Sequence, residues 1–348
     1  MGCLWGVSKM KQTYSFDDVL LVPQKSNIKS RSEVDISSNL SKNNFRLPVI
    51  ASPMDTISGT RMAVEMSKQG ALAVLHRYNT IAEQAEMVSY IKDVKRETKI
   101  AAAVGMTGDY FDRAVNLYEA GARILCVDVA HGHHSMMEKC LKKLKDAFGE
   151  AVHIMAGNVA TLEAFEDLSQ WGADSIRVGI GGGSICSTRI VTGHGLPTFQ
   201  SVLECAKTSY DTKIIADGGI KTTGDMVKAL AAGADFIMVG SLLSGTDETP
   251  GEVIVGAKGE KYKHYRGMAS KEAQRNWRGK SSTPEGVATM VPYKGPVKGI
   301  LEDFNGGIRS GLSYTGVRNI KELQSKRHFV LQSSAAQLES NTHIMWRY

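Results

Sequence analysis

The sequence predicts an α/β protein closed into a (β/α)8 barrel. Three observations carry that expectation. Eight short apolar runs recur between residues 48 and 239, each of strand length and apolar enough to be buried on both faces. Longer segments of helical periodicity separate them. The phrase Gly-Ala, at 70–71, 121–122, 172–173 and 233–234, comes just before four of the runs, where a helix C-cap would hand over to a strand. Eight such units in roughly 200 residues suit a closed barrel. A doubly wound open sheet is the alternative, and unit count and length favour closure.

Before the barrel, residues 1–14 read as an irregular arm. Gly2 resembles a myristoylation signal, but position 6 is Gly where Ser or Thr is wanted. Residues 15–23 enter the domain, and 31–40 alternate weakly, as a peripheral hairpin strand would. The runs follow at 48–52, 71–75, 100–104, 124–128, 153–157, 175–179, 213–217 and 235–239. Helical patterns lie at 60–70, 81–95, 110–121, 135–148, 162–172, 198–206 and 223–233. Residues 252–264 read as a small hairpin finger with a glycine turn, and 269–290 as a flap. The expected catalytic domain spans 15–325, as a single domain, and 326–348 form a polar, irregular tail.

Composition narrows the function. The 348 residues carry a net charge of +6 that is not gathered into Lys/Arg blocks, which suits anionic small molecules and disfavours a nucleic-acid partner. No apolar run approaches the roughly 18 residues that span a bilayer. The five cysteines are odd in number, with no C-x-x-C and no zinc-type spacing, which favours free thiols in a cytoplasmic setting.

In a barrel of this kind the chemistry sits on the loops after the strands. The sixth run leads into Gly179-Ile180-Gly181-Gly182-Gly183-Ser184-Ile185-Cys186-Ser187-Thr188-Arg189. Its glycines allow close backbone approach to a ligand, and its bare N–H and C=O groups can cradle phosphate or hold a cation. Cys186, with a hydroxyl two residues on, is a candidate nucleophile; a glycine turn with a buried cysteine is the plainer reading. Gly218-Gly219 and Gly240-Ser241, after the seventh and eighth runs, could donate N–H groups to a phosphate, and Asp217 could accept from a ribose diol or merely open a turn. His131, His133 and His134 cluster after the fourth run, but two are adjacent and no carboxylate partner is evident, so a cofactor-contacting or solvated loop outweighs a zinc site.

Five motifs together carry a family resemblance: Gly183-Ser184-Ile185-Cys186-Ser187-Thr188, Ile215-Ala216-Asp217-Gly218-Gly219-Ile220, Pro250-Gly251-Glu252, Tyr265-Arg266-Gly267-Met268-Ala269-Ser270 and Val291-Pro292-Tyr293-Lys294-Gly295. With them the chain, from Phe16 to Gly316, resembles the inosine monophosphate dehydrogenase and guanosine monophosphate reductase superfamily. The resemblance implies a homotetrameric TIM barrel with a purine mononucleotide site. It makes Cys186 the nucleophile that attacks purine C2. It gives Ser184, Gly219, Gly240, Ser241 and Tyr265 to the phosphate, and Asp217 to the ribose. Gly267, Met268 and Ala269 go to the base, and Ser52, Gly218, Ser270 and Gly286 to the same substrate site. The nicotinamide cofactor would meet Arg77, Asp128, Val129, Ala130, Ile180 and Gly181. A potassium ion would sit among carbonyls of Gly181, Gly183 and Cys186, with Arg189 beside them.

The same resemblance bears on direction. Dehydrogenases usually carry a regulatory domain inserted after the second barrel unit, and here residues 81–99 pass straight on to the third run. They also place an Arg-Tyr pair in the flap to activate water, and here the flap reads Arg275-Asn276-Trp277-Arg278. Arg275 or Arg278 could stand in for it, and Ala51-Ser52-Pro53-Met54-Asp55-Thr56 looks like the dehydrogenase. Thr188 and Glu285 match the reductase pair that handles the proton for departing ammonia. The expectation is therefore NADPH-dependent deamination of GMP to IMP through a thioimidate on Cys186. NAD-dependent IMP oxidation is the alternative, and a non-catalytic purine-nucleotide sensor is a third reading that would need neither Cys186 nor Thr188.

Overall fold

The computed structural model describes residues 10–340 and 342; Gly2, Cys3 and residues 343–348 lie outside them, as does the side chain of Arg278. Strand β1 (Val19–Leu21) follows one turn of 3-10 helix capped by Ser15. β2 (Ser38–Leu40) and β3 (Asn43–Phe45) form a hairpin. The alternation then begins: β4 (Val49–Ala51), α1 (Thr60–Lys68), β5 (Leu72–Leu75), α2 (Ile81–Val94), β6 (Ala101–Val104), α3 (Tyr110–Ala120), β7 (Ile124–Asp128), α4 (Ser135–Phe148) and β8 (His153–Val159). It continues with α5 (Leu162–Gln170), β9 (Ser175–Val178), α6 (Thr188–Thr192), α7 (Thr198–Cys205), β10 (Lys213–Asp217), α8 (Thr223–Ala232) and β11 (Phe236–Val239).

β4 to β11 pair in parallel and close, β11 against β4 with Ile237 opposite Val49, into an eight-stranded barrel. The eight expected runs are these eight strands. Gly70, Gly121, Gly172 and Gly233 end their helices with φ of +76°, +123°, +103° and +130°. That is backbone that side chains resist, which explains the Gly-Ala phrase. α2 passes through residues 95–100 directly into β6, with no inserted domain.

Side chains pointing into the barrel make their own core, including Ile50, Leu72, Val74, Ile124, Met155, Ile215 and Met238. Leu40 and Phe45 of the hairpin belong to it, and Phe45 meets Phe236 edge-to-face at 5.7 Å. The hairpin thus plugs the end of the barrel where the strands begin. Leucines and methionines of the helices seal the outer layer, with Met62 and Met66 from α1, Leu141 and Leu144 from α4 and Leu301 and Leu312 from the later helix Val297–Thr315.

After the barrel come β12 (Ile254–Val255), β13 (Lys261–Arg266), α9 (Lys271–Arg278), β14 (Ala288–Pro292), α10 (Val297–Thr315), α11 (Ile320–Lys326), β15 (Phe329–Leu331) and α12 (Ser334–Glu339). Three expectations change here. Residues 31–33 form a single 3-10 turn, so only the end of the expected 31–40 strand is extended. The finger gains a third strand, because β14, which begins within the flap, pairs with β13. The tail is not irregular throughout: β15 pairs antiparallel with β1, Val19 opposite Leu331, and α12 follows. Phe329 supplies the reason, since its ring packs at 5.0 Å on Phe199, which packs at 5.8 Å on Phe16. Among the described residues no helix is long and apolar enough to cross a membrane.

Candidate active site

A cavity of about 550 Å³ opens over the strand ends opposite the hairpin plug. Loops after the strands bring together most of the residues expected there. Ser52, Arg77, Asp128, Val129, Ala130, Ile180, Gly181, Gly183, Ser184, Cys186, Thr188, Asp217, Gly218, Gly219, Gly240 and Ser241 line it, and the finger and flap add Tyr265, Gly267, Met268, Ala269, Glu285 and Gly286.

The cysteine loop and the flap are knitted by main-chain bonds. Ser187 N–H donates to Glu285 O, and Val287 N–H donates to Ile185 O, both at 3.0 Å, so Cys186 faces Gly286 as in a two-residue ladder. That lacing sets the side chains. Cys186 Sγ lies 3.2 Å from Thr188 Oγ1, which donates to Glu285 Oε2 at 2.9 Å. A thiol, a hydroxyl and a carboxylate thus form one hydrogen-bonded chain. Cys126, Cys140 and Cys205 are buried, and burial pushes their thiols up to about 12, which leaves them inert at neutral pH. Cys186 is the partly exposed one of the four described.

Beside it sits a polar cradle. Gly218 and Gly219 adopt φ of +87° and +76°, and a Cβ on Gly218 would stand 3.1 Å from the N–H of Gly183. A Cβ on Gly240 would stand 3.3 Å from the Tyr265 hydroxyl. Only glycine lets these three loops converge. Tyr265 is buried, which raises its phenol, and Ser184 and Ser241 beside the hydroxyl oppose that shift. Main-chain N–H groups, two serines and a phenol arranged around one end of a cavity suit a phosphate.

The floor carries a residue that sequence reading passed over. Arg177, in β9, is buried with its guanidinium between two carboxylates: Nη1 donates to Asp128 Oδ1 at 2.5 Å and Nη2 to Asp217 Oδ2 at 2.8 Å. Desolvation would lower its pKa, but the two carboxylates outweigh that and raise it well above the ordinary value. Asn158 Nδ2 also donates to Asp217 Oδ2, at 2.9 Å. A single arginine inside a run otherwise buried on both faces was the available signal, because a charge there needs a partner.

Further along the cavity, Arg77 donates from Nη2 to the main-chain O of Asp128 at 3.2 Å. Its Nε is buried with no hydrogen-bond partner among the described residues, although Asp128 Oδ2 stands 3.9 Å away. An unsatisfied cationic donor at a cavity wall suits an anionic ligand such as a cofactor phosphate. Trp277 of α9 stacks on Tyr78 at 5.9 Å and 17°, which anchors the flap to the loop after β5.

Some expected residues stand apart. Ser270 is buried and caps α9, accepting from Ala273 N–H at 3.2 Å, so it is a helix cap outside the cavity. Arg189 does not line the cavity either. Its guanidinium is held by the carbonyls of Leu196 and Ile180, and its own carbonyl accepts from Gly193 N–H at 3.1 Å to end α6, so its side chain braces the loop. Arg275 is exposed on α9 and away from the cavity. The histidine cluster does have a carboxylate partner: His133 Nε2 meets Asp167 at 2.8 Å, from the next helix, while His134 caps α4 through Met136 N–H. Among the described residues no group of metal-ligating side chains comes together.

A family model described as IMP dehydrogenase / GMP reductase domain matches residues 13–343. An inosine-5'-monophosphate dehydrogenase from Nitrosopumilus maritimus (strain SCM1) is 32% identical, the match covering 96% of this chain and 99% of the relative. A GMP reductase from Leishmania major is 31% identical over 99% of each chain. A solved structure of a cysteine-to-alanine variant of GMP reductase from Trypanosoma brucei, in complex with guanosine 5'-monophosphate, superposes with a TM-score of 0.90 at 30% identity, covering 96% of this chain and 98% of that one.

Proposed function

The chain belongs to the IMP dehydrogenase / GMP reductase family, and we propose that within it this protein is a reductase that converts GMP to IMP and ammonia at the expense of NADPH. The observation that carries the direction is the unbroken chain from Cys186 Sγ through Thr188 Oγ1 to Glu285 Oε2. Dehydrogenation needs a base for water. Reductive deamination needs a proton for a leaving amine, and a carboxyl group relayed through a hydroxyl can deliver one.

The nucleotide's phosphate takes the cradle of Ser184, Gly219, Gly240, Ser241 and Tyr265, its ribose Asp217, and its base the loop of Gly267, Met268 and Ala269. Cys186 passes its proton through Thr188 to the Glu285 carboxylate, along the hydrogen bonds that already point that way, and the thiolate adds to C2 of the guanine ring. The Glu285 carboxyl so formed returns that proton through Thr188 to the 2-amino group, and the C2–N bond breaks to release ammonia and leave a thioimidate. A nicotinamide cofactor, when bound, would supply the hydride that C2 accepts. The C2–S bond then breaks, IMP forms, and Cys186 leaves as the thiolate. Arg77, Asp128, Val129 and Ala130 would hold the cofactor, and Arg77 Nε, which has no hydrogen-bond partner among the described residues, fits its phosphates. Main-chain carbonyls of Gly181, Gly183 and Cys186 form an oxygen donor set of the kind potassium accepts. A homotetramer in the cytoplasm is the expected setting.

IMP dehydrogenation is the second reading, favoured by the Ala51-to-Thr56 segment and by relatives that bear that name. One assay separates the readings. Purified protein is mixed with GMP and NADPH, then with IMP and NAD⁺, and the nicotinamide absorbance is followed. NADPH loss with the first pair alone is the expected result. NADH gain with the second pair alone overturns the reductase reading, and silence with both, while nucleotide still binds, favours a sensor.

A further inference from the structure

We propose that Arg177 is a positioning residue which, anchored by Asp128, fixes Asp217 with one carboxylate oxygen reserved for the ribose, so that the cofactor side of the cavity sets sugar selectivity on the nucleotide side. The inference rests on the nucleotide reading above and goes beyond it, because Arg177 touches neither the nucleophile nor the proton relay.

The geometry is specific. Asp217 Oδ2 accepts three donors: Arg177 Nη2 at 2.8 Å, Arg177 Nε at 3.2 Å and Asn158 Nδ2 at 2.9 Å. Its other oxygen, Oδ1, takes no donor among the described residues, although the side chain is only 13% exposed and lines the cavity. A carboxylate with one saturated oxygen and one empty oxygen cannot rotate without breaking charge-assisted bonds, so the empty oxygen keeps its place for a hydroxyl. At its far end Arg177 reaches Asp128 Oδ1, and Asp128 in turn lies against Arg77. Charges therefore alternate, Arg77, Asp128, Arg177, Asp217, from the distal end of the cavity to its centre.

A gap in the sheet makes the reach possible. Asp128 of β7 and Arg177 of β9 are each in register with Gly157 of the intervening β8. A Cβ at Gly157 would stand 2.6 Å from the Cβ of Arg177. Any other residue there would push the arginine aside.

The test is binding of GMP against its 2'-deoxy and 3'-deoxy forms by calorimetry, without cofactor, to the full chain and to Asp128→Asn and Arg177→Lys. Losing a hydrogen bond to a charged group costs about 10- to 100-fold in affinity, so the wild type should prefer GMP over at least one deoxy form by that margin. Arg177→Lys keeps the charge but not the fork, and its preference should fall close to unity. Asp128→Asn, which alters no group that meets the nucleotide, should lose about threefold or more of the preference, a charge-assisted bond being roughly twice as strong as a neutral one. A general loss of structure would weaken all three nucleotides equally. Equal weakening, or an unchanged preference in Asp128→Asn with folding verified by circular dichroism, overturns the proposal. If the wild type binds none of the three, the nucleotide reading itself fails, which is a different result.

Discussion

The two ends of the barrel are built from the same eight strands and have opposite characters. Where the strands begin, the β2–β3 hairpin drives Leu40 and Phe45 into the bore, and His153 at that end is kept neutral at ordinary pH. It bonds Ser41 Oγ at 2.7 Å and Ser175 Oγ at 2.8 Å, and burial lowers its pKa to about 4. Where the strands end, the plug is absent. Alternating arginines and aspartates cross the floor, and glycines replace side chains wherever loops must approach. One end pairs its buried imidazole internally; the other leaves Arg77 Nε and Asp217 Oδ1 without a hydrogen-bond donor or acceptor among the described residues. Stability and chemistry are separated along the barrel axis, and substitutions should sort accordingly.

The sharpest break of that division comes from Cys186→Ala. It should abolish turnover while nucleotide affinity and thermal midpoint stay near wild type; residual turnover at a comparable rate would remove the nucleophile. Glu285→Gln comes next, lowering kcat by about 10²- to 10⁴-fold with little change in midpoint, as loss of a general acid does. Steady-state kinetics beside thermal melting reads both. At the opposite end Phe45→Ala should do the reverse. It should cost about 3–5 kcal/mol in denaturant unfolding while the folded fraction turns over normally. A large kcat effect there would show that the two ends are coupled.

The smallest effect is a pH dependence. Below about 6.5 the unfolded chain protonates His153, while the folded chain resists until about 4. The histidine's contribution is therefore whole above pH 6.5 and lost as the pH falls towards 4, by on the order of 3 kcal/mol. Urea midpoints of wild type and His153→Gln across that window should diverge in slope. Parallel slopes would mean that other groups carry the acid sensitivity.

Most of the barrel was legible because its signals are local. Buried parallel strands must be apolar on both faces, and helix ends that turn sharply need glycine, so Gly121 and Gly233 mark their boundaries by chemistry alone. The cavity was legible where motifs are contiguous, as around Cys186. What escaped was pairing over distance. Arg177 reads as one polar residue in an apolar strand until Asp128 and Asp217 come alongside it. His133 reads as unpartnered until α5 brings Asp167, and Phe329 reads as tail until Phe199 receives it. The capping role of Ser270 escaped for the opposite reason. A serine three residues before a helical alanine is first of all a cap, and its place beside the Gly-Met-Ala loop did not change that.

The β1–β15 pair has a consequence in the order of synthesis. Val19 emerges among the first structured residues and Leu331 among the last. At ordinary rates of translation the first strand waits on the order of tens of seconds for its partner. Through that interval its edge and the Phe16 and Phe199 rings stand without β15, so a ribosome stalled before residue 329 holds a barrel whose eight strands can close but whose outer seam cannot. The nascent chain should be most open to chaperones and proteases along that seam, and the seam shuts when Phe329 arrives.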